Sequence, residues 1–228
     1  MLTKTYCIIT LLFFIASCKK SEPTTSAPAV NSESITILNS SFEQPVTANN
    51  SFVTTGPPLS WNIYGSINNS NRAVGVLNPN TTSLYLDAVP HGANVGVVFL
   101  LDNPGNHAQF NNSPAGLEQT LAAVLQTNSK YTLTVHVGNL NQDSPPTPYQ
   151  FIGFPQYRIE LLAGGVALAQ DANTLLPNEG RFLISTVSVD IPATHPQENQ
   201  NLGLRLINSN SAVGIEVNFD MVTLTRQF

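Results

Sequence analysis

Short apolar segments separated by turn-forming residues recur along most of this chain. The segments are rich in Val, Ile, Thr, Leu and Phe, which favour strands, whereas the Asn, Gly and Pro between them favour turns. Their fairly regular spacing predicts an all-β fold, an antiparallel β-sandwich of the jelly-roll type. About eleven strands are expected, over residues 35–39, 59–65, 72–78, 94–101, 116–122, 130–138, 156–164, 166–170, 181–191, 201–208 and 214–226.

The last expected strand, 214–226, carries a carboxylate among apolar residues. With a side-chain period of two, Asp220 shares one face of that strand with Val222 and Leu224. Burying a carboxylate is costly unless a cation, a proton or several hydrogen-bond donors meet it. The residues leave three roles open for Asp220: a metal ligand, a general acid whose pKa is raised by burial, or an acceptor of structural hydrogen bonds.

Alternation in other segments predicts strands with one buried and one polar face, the pattern of antiparallel sheets. In 130–138, for example, His136 lies on the polar face, where a proton shuttle or a simple solvated histidine is expected. The connections between strands include several that are long for hairpins, and binding groups often lie in such loops. These long connections are 45–58, 90–94, 102–114 and 141–155.

The first 17 residues have the features of a bacterial lipoprotein signal peptide. Their apolar stretch is too short to span a bilayer as a stable helix, and it ends in Ile-Ala-Ser-Cys, which resembles a lipobox. That resemblance implies cleavage before Cys18 and lipidation of its sulfur, with 18–34 as a flexible tether. An ordinary secretory leader with a chance cysteine is the alternative. We expect a lipid-anchored, extracytoplasmic protein of the outer membrane or cell surface, with residues 35–228 forming one β-sandwich domain.

Composition and motifs argue against several classes of function. The formal net charge is −5 and no basic stripe is present, which argues against nucleic-acid binding. The two cysteines, Cys7 and Cys18, both lie in the leader region, so no thiol nucleophile is expected in the domain. The four histidines lack the spacing of zinc or copper ligands, and no GxSxG, Walker A or GxGxxG motif occurs.

The order of several segments resembles a known family. The opening NSSFEQP, 39–45, looks like the N-P-S-F-E-x-P start of bacterial secreted β-sandwiches. It is followed by Trp61 and by further segments in the same order as in the domain of the Stig cyclases of hapalindole biosynthesis. The resemblance spans residues 35–225, and the later segments that carry it are 75–80, 85–98, 117–138, 157–171 and 218–224.

This resemblance implies a jelly roll related to carbohydrate-binding modules, with bound calcium and often a homodimer. In the cyclases, an acid in the terminal strand protonates an isonitrile-bearing indole terpene, and aromatic walls stabilise the resulting cation. The position here that looks like that acid is Asp220. The candidate aromatic walls are Phe99, Phe151 and Phe154.

Two functions follow as expectations. The first is a calcium-stabilised module that binds a glycan or a small apolar ligand, with Glu43 and Asp220 as the calcium carboxylates between the first and last strands. Exposed aromatic residues such as Trp61, Tyr64 or Tyr85 would then stack on a sugar ring, unless they belong to the core. The alternative is an acid-catalysed cyclase of the terpenoid type, with Asp220 as general acid and the three phenylalanines around the cation.

Overall fold

A computed structural model of the chain describes residues 31–68, 71–79, 84–101, 113–141 and 151–228. The expected signal peptide, Cys18 and most of the tether lie outside the described residues, as do parts of two expected loops. Within the described ranges, no helix has the length and hydrophobicity needed to cross a bilayer. The twelve strands there are Ser32–Ile35 (β1), Ser51–Val53 (β2), Asn62–Tyr64 (β3), Arg72–Asn78 (β4), Val95–Leu100 (β5), Ala115–Val124 (β6), Ser129–Asn139 (β7), Tyr157–Ala163 (β8), Val166–Ala172 (β9), Arg181–Ile191 (β10), Asn201–Asn208 (β11) and Glu216–Gln227 (β12).

The strands form two antiparallel sheets, which confirms the expected all-β sandwich. The larger sheet has seven strands in the order β10-β7-β12-β5-β4-β2, with β1 pairing with the end of β12. The smaller sheet has five, in the order β3-β6-β11-β8-β9. Alternate residues of both sheets face each other in one main core, which includes Leu133, Val135, Leu204, Leu206 and Phe219.

The first strand and its neighbours differ from the expected boundaries. β1 covers 32–35 rather than 35–39, because the backbone N–H and carbonyl of Leu38 bond to the side-chain amide of Gln119 instead of to a strand. β2 lies within the expected loop 45–58. β6 covers Ala115–Val124 and so extends beyond the expected strand 116–122 at both ends.

A β-bulge in β12 overturns the expected orientation of Asp220. Asp220 pairs with His136 of β7, whereas the next paired residue, Thr223, faces Thr134, so β12 has one residue more than β7 between these pairs. Met221 takes the left-handed conformation, with φ at 46°. Val222 and Leu224 therefore return to the core while Asp220 points to the opposite face. The simple period of two was wrong at this point.

Candidate functional site

The candidate site lies on the outer face of the larger sheet, away from the main core. Val217 and Phe219 of β12 point into that core. The residues that alternate with them, Glu216, Asn218 and Asp220, therefore point outward. Their cross-strand partners share this face. Glu216 pairs with Phe99 and Asn218 with Val97 on β5. On the other side, Asn218 pairs with Gly138 and Asp220 with His136 on β7.

Apolar residues surround this line of polar side chains and form a second buried cluster, here called the outer cluster. The segment that follows residue 83 crosses the outer face, held by hydrogen bonds from Asn141 N–H to the Leu84 carbonyl and from Leu86 N–H to the Gly180 carbonyl. The polar groups of β12 are thereby removed from water. The outer cluster comprises Ala73, Leu77, Leu84, Tyr85, Val95, Val97, Phe99, Leu140, Phe151 and Ile215, with Val89, Leu101 and Phe182 at its border.

Asp220 is fully buried, yet both of its oxygens accept backbone hydrogen bonds. Oδ2 accepts from the N–H of His91 at 2.8 Å and Oδ1 from the N–H of Met221 at 2.6 Å. Burial raises the pKa of Asp220 to about 7, the two N–H groups oppose that shift, and the charge of Glu43 adds to it. An acid with this pKa holds its proton on a substantial fraction of molecules at neutral pH and can give it up.

Glu43 accepts hydrogen bonds from the same loop that covers Asp220. Its Oε1 lies 3.1 Å from the backbone nitrogens of both Ala93 and Asn94. Gly92 makes this approach possible, because its φ is 65° and a Cβ there would collide with the Glu43 carboxylate. The side-chain amide of Asn94 in turn donates to the Phe42 and Pro45 carbonyls at 3.1 Å each. The loop is thus tied to the residues around Glu43 and to Asp220 together.

The contacts of the Glu43 and Asp220 carboxylates can be compared with those expected of calcium ligands. Calcium takes roughly six to eight oxygen ligands, commonly carboxylates and carbonyls. Here the two carboxylates face N–H donors, and no group of three His, Cys, Asp or Glu side chains in the described ranges is placed to hold a metal. As arranged, the pair does not fit a calcium site, and its contacts are those of hydrogen-bond acceptors. Calcium in this protein stays a prediction.

A buried chain of polar groups continues along β12 from Asp220. The Tyr85 hydroxyl donates to Oδ1 of Asn218 at 2.5 Å, and Nδ2 of Asn218 donates to Oε1 of Glu216 at 2.8 Å. Burial raises the pKa of Glu216 to about 7, partly offset by the Asn218 hydrogen bond. Burial also raises the pKa of the Tyr85 phenol well above its ordinary value, and the charges of Glu216 and Asp220 add to that shift. The site therefore holds two carboxyl groups, not one.

Gly138 lets aromatic rings approach this chain closely. A Cβ at Gly138 would collide with the Phe182 ring and with the Tyr85 hydroxyl. Tyr85 and Phe182 stack with ring centroids 4.4 Å apart. His136 lies on the same face, two residues before Gly138, and burial lowers its pKa, so its neutral form prevails at neutral pH.

The four aromatic residues expected to bind ligand fall into two groups. Phe99 and Phe151 belong to the outer cluster, beside Glu216 and its neighbours. Phe154 and Trp61 lie in the main core. Trp61 is 3% exposed, stacks on Phe42 with centroids 5.2 Å apart, and donates from Nε1 to the Asn39 carbonyl at 3.1 Å. The structure brings Phe99, Phe151 and Asp220 to one face of the larger sheet.

Sequence reasoning gave Tyr85 only as one of the aromatic residues that could stack on a sugar ring, and it missed Asn218 and Glu216 as site residues. A signal for the latter two was present, because Glu216, Asn218 and Asp220 follow one another at a period of two in the same strand. Three consecutive polar positions on one face of an otherwise apolar strand indicate a polar line within a buried environment. The contact of Tyr85 with that line depends on how the segment after residue 83 crosses the sheet.

Comparison with known proteins shows that this chain is similar to a family of cyclases. A family model described as HpiC1 cyclase, HpiC1-like, matches residues 33–225. No curated protein matches the chain in a sequence search.

Several solved structures are similar over most of the chain. The Stig cyclase Fisc from Fischerella sp. TAU, in complex with (3Z)-3-(1-methyl-2-pyrrolidinylidene)-3H-indole, is 36% identical with a TM-score of 0.76, covering 86% of this chain and 98% of its own. A cyclase from Fischerella sp. TAU in complex with 4-(1H-indol-3-yl)butan-2-one is 36% identical with a TM-score of 0.75, covering 85% and 97%. An arabinose-bound GH51 α-L-arabinofuranosidase is similar in fold alone, at 16% identity and a TM-score of 0.51, covering 85% of this chain and 26% of its own.

Proposed function

The chain belongs to the HpiC1-like family of Stig cyclases, and from that membership we propose that it binds a small, largely apolar molecule on the outer face and protonates it with Asp220. The single observation that carries this proposal is the buried Asp220 carboxyl with its pKa raised to about 7. A carboxyl group that is protonated on many molecules at neutral pH is suited to general acid catalysis. The reaction class is acid-initiated cyclisation or rearrangement, in which the product cation finally loses a proton that restores the Asp220 carboxyl, so the product is an isomer of the substrate.

Residues that contact Asp220 and residues elsewhere in the outer cluster support this role in distinct ways. The N–H groups of His91 and Met221 fix the orientation of the carboxyl and stabilise the carboxylate that remains after proton transfer. Phe99 and Phe151 supply aromatic surface within the outer cluster, which suits an apolar ligand and can stabilise a carbocation through its π face. Their burial also excludes water, which would otherwise intercept such a cation.

A binding module without turnover is the second candidate. It uses the same outer face and differs only in that Asp220 holds the ligand or the 90–94 loop in place. The small apolar ligand is favoured over a glycan, because Trp61, the expected sugar-stacking residue, is 3% exposed. A family relationship alone does not transfer a reaction, so the two candidates require a direct test.

We also propose that the domain is displayed at the cell envelope through a lipid on Cys18, and that it forms a homodimer. The lipobox-like sequence supports the first proposal and the family resemblance supports the second. Detergent-phase partitioning of wild type and Cys18→Ala tests the anchor. Light scattering of the purified protein tests the dimer.

The catalytic proposal is tested by incubating the protein with an isonitrile-bearing indole terpene and following product by mass spectrometry. Wild type is expected to form a cyclised isomer of unchanged mass, and Asp220→Asn to be about 100-fold slower or worse. Asp190→Asn, the same change at an exposed site on β10, should retain full activity. Saturable binding of the terpene without turnover would instead favour the binding module.

A further inference from the structure

Glu216 is the least satisfied buried group of the candidate site. It is 3% exposed, and its Oε1 accepts the hydrogen bond from Asn218. Its second oxygen, Oε2, is buried and has no hydrogen-bond partner among the described residues. An unpaired buried carboxyl oxygen costs free energy, so a donor that meets it gains more than the same donor would gain in water.

The surroundings of Glu216 offer no alternative partner in the described part of the chain. The cross-strand partner on β5 is Phe99, and the preceding residue, Ile215, belongs to the outer cluster. The nearby Tyr85 hydroxyl donates to Asn218 rather than to Glu216. No ion pair involving Glu216 is present between described residues. Oε2 is therefore a hydrogen-bond acceptor within an apolar environment, on the same face as Asp220.

We propose that Glu216 is a specificity-determining residue of this site, where its free Oε2 accepts a hydrogen bond from an N–H group on an otherwise apolar ligand. The inference rests on the proposed function, because it requires that the ligand lies on the outer face. Glu216 and Asp220 are four residues apart on one face, about 13 Å along the strand, so only an elongated ligand that passes the Tyr85–Asn218 hydrogen bond reaches both. Asp220 then meets the reacting carbon, and Glu216 orients the molecule by its nitrogen.

The N–H group can come from a neutral heterocycle or from an ammonium group. Both present a donor to Oε2, and both suit an ionised Glu216 in an apolar surrounding. An aprotic or purely hydrocarbon ligand leaves Oε2 unpaired and binds less tightly. Ligands with and without an N–H group should therefore differ in their dissociation constants.

The test compares ligands that differ only in the N–H group. Dissociation constants of 3-methylindole and 1,3-dimethylindole are measured by calorimetry at about pH 8 for the full chain and for Glu216→Gln. In Glu216→Gln, the side-chain oxygen takes the Asn218 hydrogen bond and an NH2 group replaces Oε2. Wild type is expected to prefer 3-methylindole by about tenfold or more, and Glu216→Gln to lose that preference. Glu198→Gln, at an exposed position, should behave as wild type.

Additional arms separate the sources of the N–H group and guard against misfolding. Tryptamine and 1-methyltryptamine both carry the ammonium group, and only the first has the heterocyclic N–H. A tenfold effect of Glu216→Gln on both tryptamines, with none on 3-methylindole, would support the proposal with ammonium as the donor. Glu216→Met, which has similar volume and no carboxyl oxygen, should repeat the loss. Circular dichroism of each variant establishes that it is folded.

The remaining outcomes overturn the proposal. If 3-methylindole and 1,3-dimethylindole bind wild type equally, and Glu216→Gln changes the affinity for neither tryptamine, Glu216 does not select for N–H, although the ligand site stands. If the preference persists in Glu216→Gln and Glu216→Met, it reflects the bulk of the methyl group. If no probe binds wild type at millimolar concentration, the outer face is not a ligand site, and the proposed function fails with it.

Discussion

Asp220 lies directly opposite His136 where β12 pairs with β7. Because of the bulge that follows, the side chains of Asp220 and Val222 point to opposite faces of the sheet. Without the extra residue, either Asp220 or the pair Val222 and Leu224 would face the wrong way. The bulge allows a core-forming strand to end its outward polar line with a carboxyl group. Bulges that re-aim a side chain in this manner are common beside active sites.

The first prediction concerns the pH dependence of stability. Burial raises the pKa of Asp220 from 3.8 to about 7 and that of Glu216 from 4.5 to about 7. Between these values the folded chain binds more protons than the unfolded chain, so the free energy of unfolding decreases as pH rises from about 4 to about 7. We expect wild type to be less stable at pH 8 than at pH 5, by on the order of a few kcal/mol, in urea denaturation.

Glu216→Gln provides the control for this pH dependence. Gln is uncharged and keeps the acceptor for Asn218, so the loss of stability between pH 5 and pH 8 should become smaller in this variant. Replacing an exposed acid, as in Asp190→Asn, should leave the slope nearly unchanged. Equal slopes in wild type and Glu216→Gln would mean that Glu216 has an ordinary pKa in the folded protein.

A second prediction concerns the strained residue of the bulge. Met221 has φ at 46°, a conformation that costs a residue with a Cβ about 1 kcal/mol and a β-branched residue more. Met221 is 39% exposed, so its side chain adds little to the core. Met221→Gly should therefore match or exceed wild-type stability, and Met221→Val should lower it by about 1–3 kcal/mol. Thermal melting at constant pH measures both, and a more stable Val variant would contradict the bulge geometry.

Much of the fold can be predicted from local sequence, because a strand with one buried face has alternating apolar and polar residues. The alternation in 130–138, for example, agrees with the buried Val135 and Val137 of β7. The short strands β1 and β2 were misplaced or missed, because three or four residues carry too little periodicity and their pairing depends on distant partners. The bulge was not predicted for a different reason: a side-chain period of two assumes an uninterrupted ladder of paired residues.

Part of the candidate site could likewise be predicted from the sequence, and part could not. Asp220 was identified from its unusual place in an apolar strand and from the family resemblance. The hydrogen bond of Tyr85 to Asn218 and the N–H donors of His91, Ala93 and Asn94 were not predicted. Loops bring these groups to the sheet, and backbone donors are common to nearly all residue types. Burial of Trp61 could not be separated from exposure by residue type alone.

A third prediction separates hydrogen bonding from calcium binding at Glu43. Its carboxylate accepts from the N–H groups of Ala93 and Asn94, and such charge-assisted bonds contribute about 1–3 kcal/mol each. We expect Glu43→Gln to lower the free energy of unfolding by about 1–3 kcal/mol, by the same amount in calcium and in chelator. If calcium raises the melting temperature of wild type but not that of Glu43→Gln, Glu43 is a calcium ligand after all. Glu33→Gln, on β1, serves as the matched surface control.

The last prediction assigns the single tryptophan a role in folding rather than in ligand binding. Trp61 stacks on Phe42, which precedes Glu43, and its Nε1 donates to the Asn39 carbonyl. Trp61→Phe keeps a ring and removes one of two donors to that carbonyl, which still accepts from the N–H of Phe42. Stability should therefore fall by about 1 kcal/mol, and Trp61→Ala should cost about 3–5 kcal/mol. Ile63→Val, at a position 39% exposed on β3, should change stability by less than about 0.5 kcal/mol. The fluorescence of the protein comes mainly from this residue, so its emission should be blue-shifted and insensitive to added oligosaccharides. Quenching by an oligosaccharide would place a sugar on Trp61.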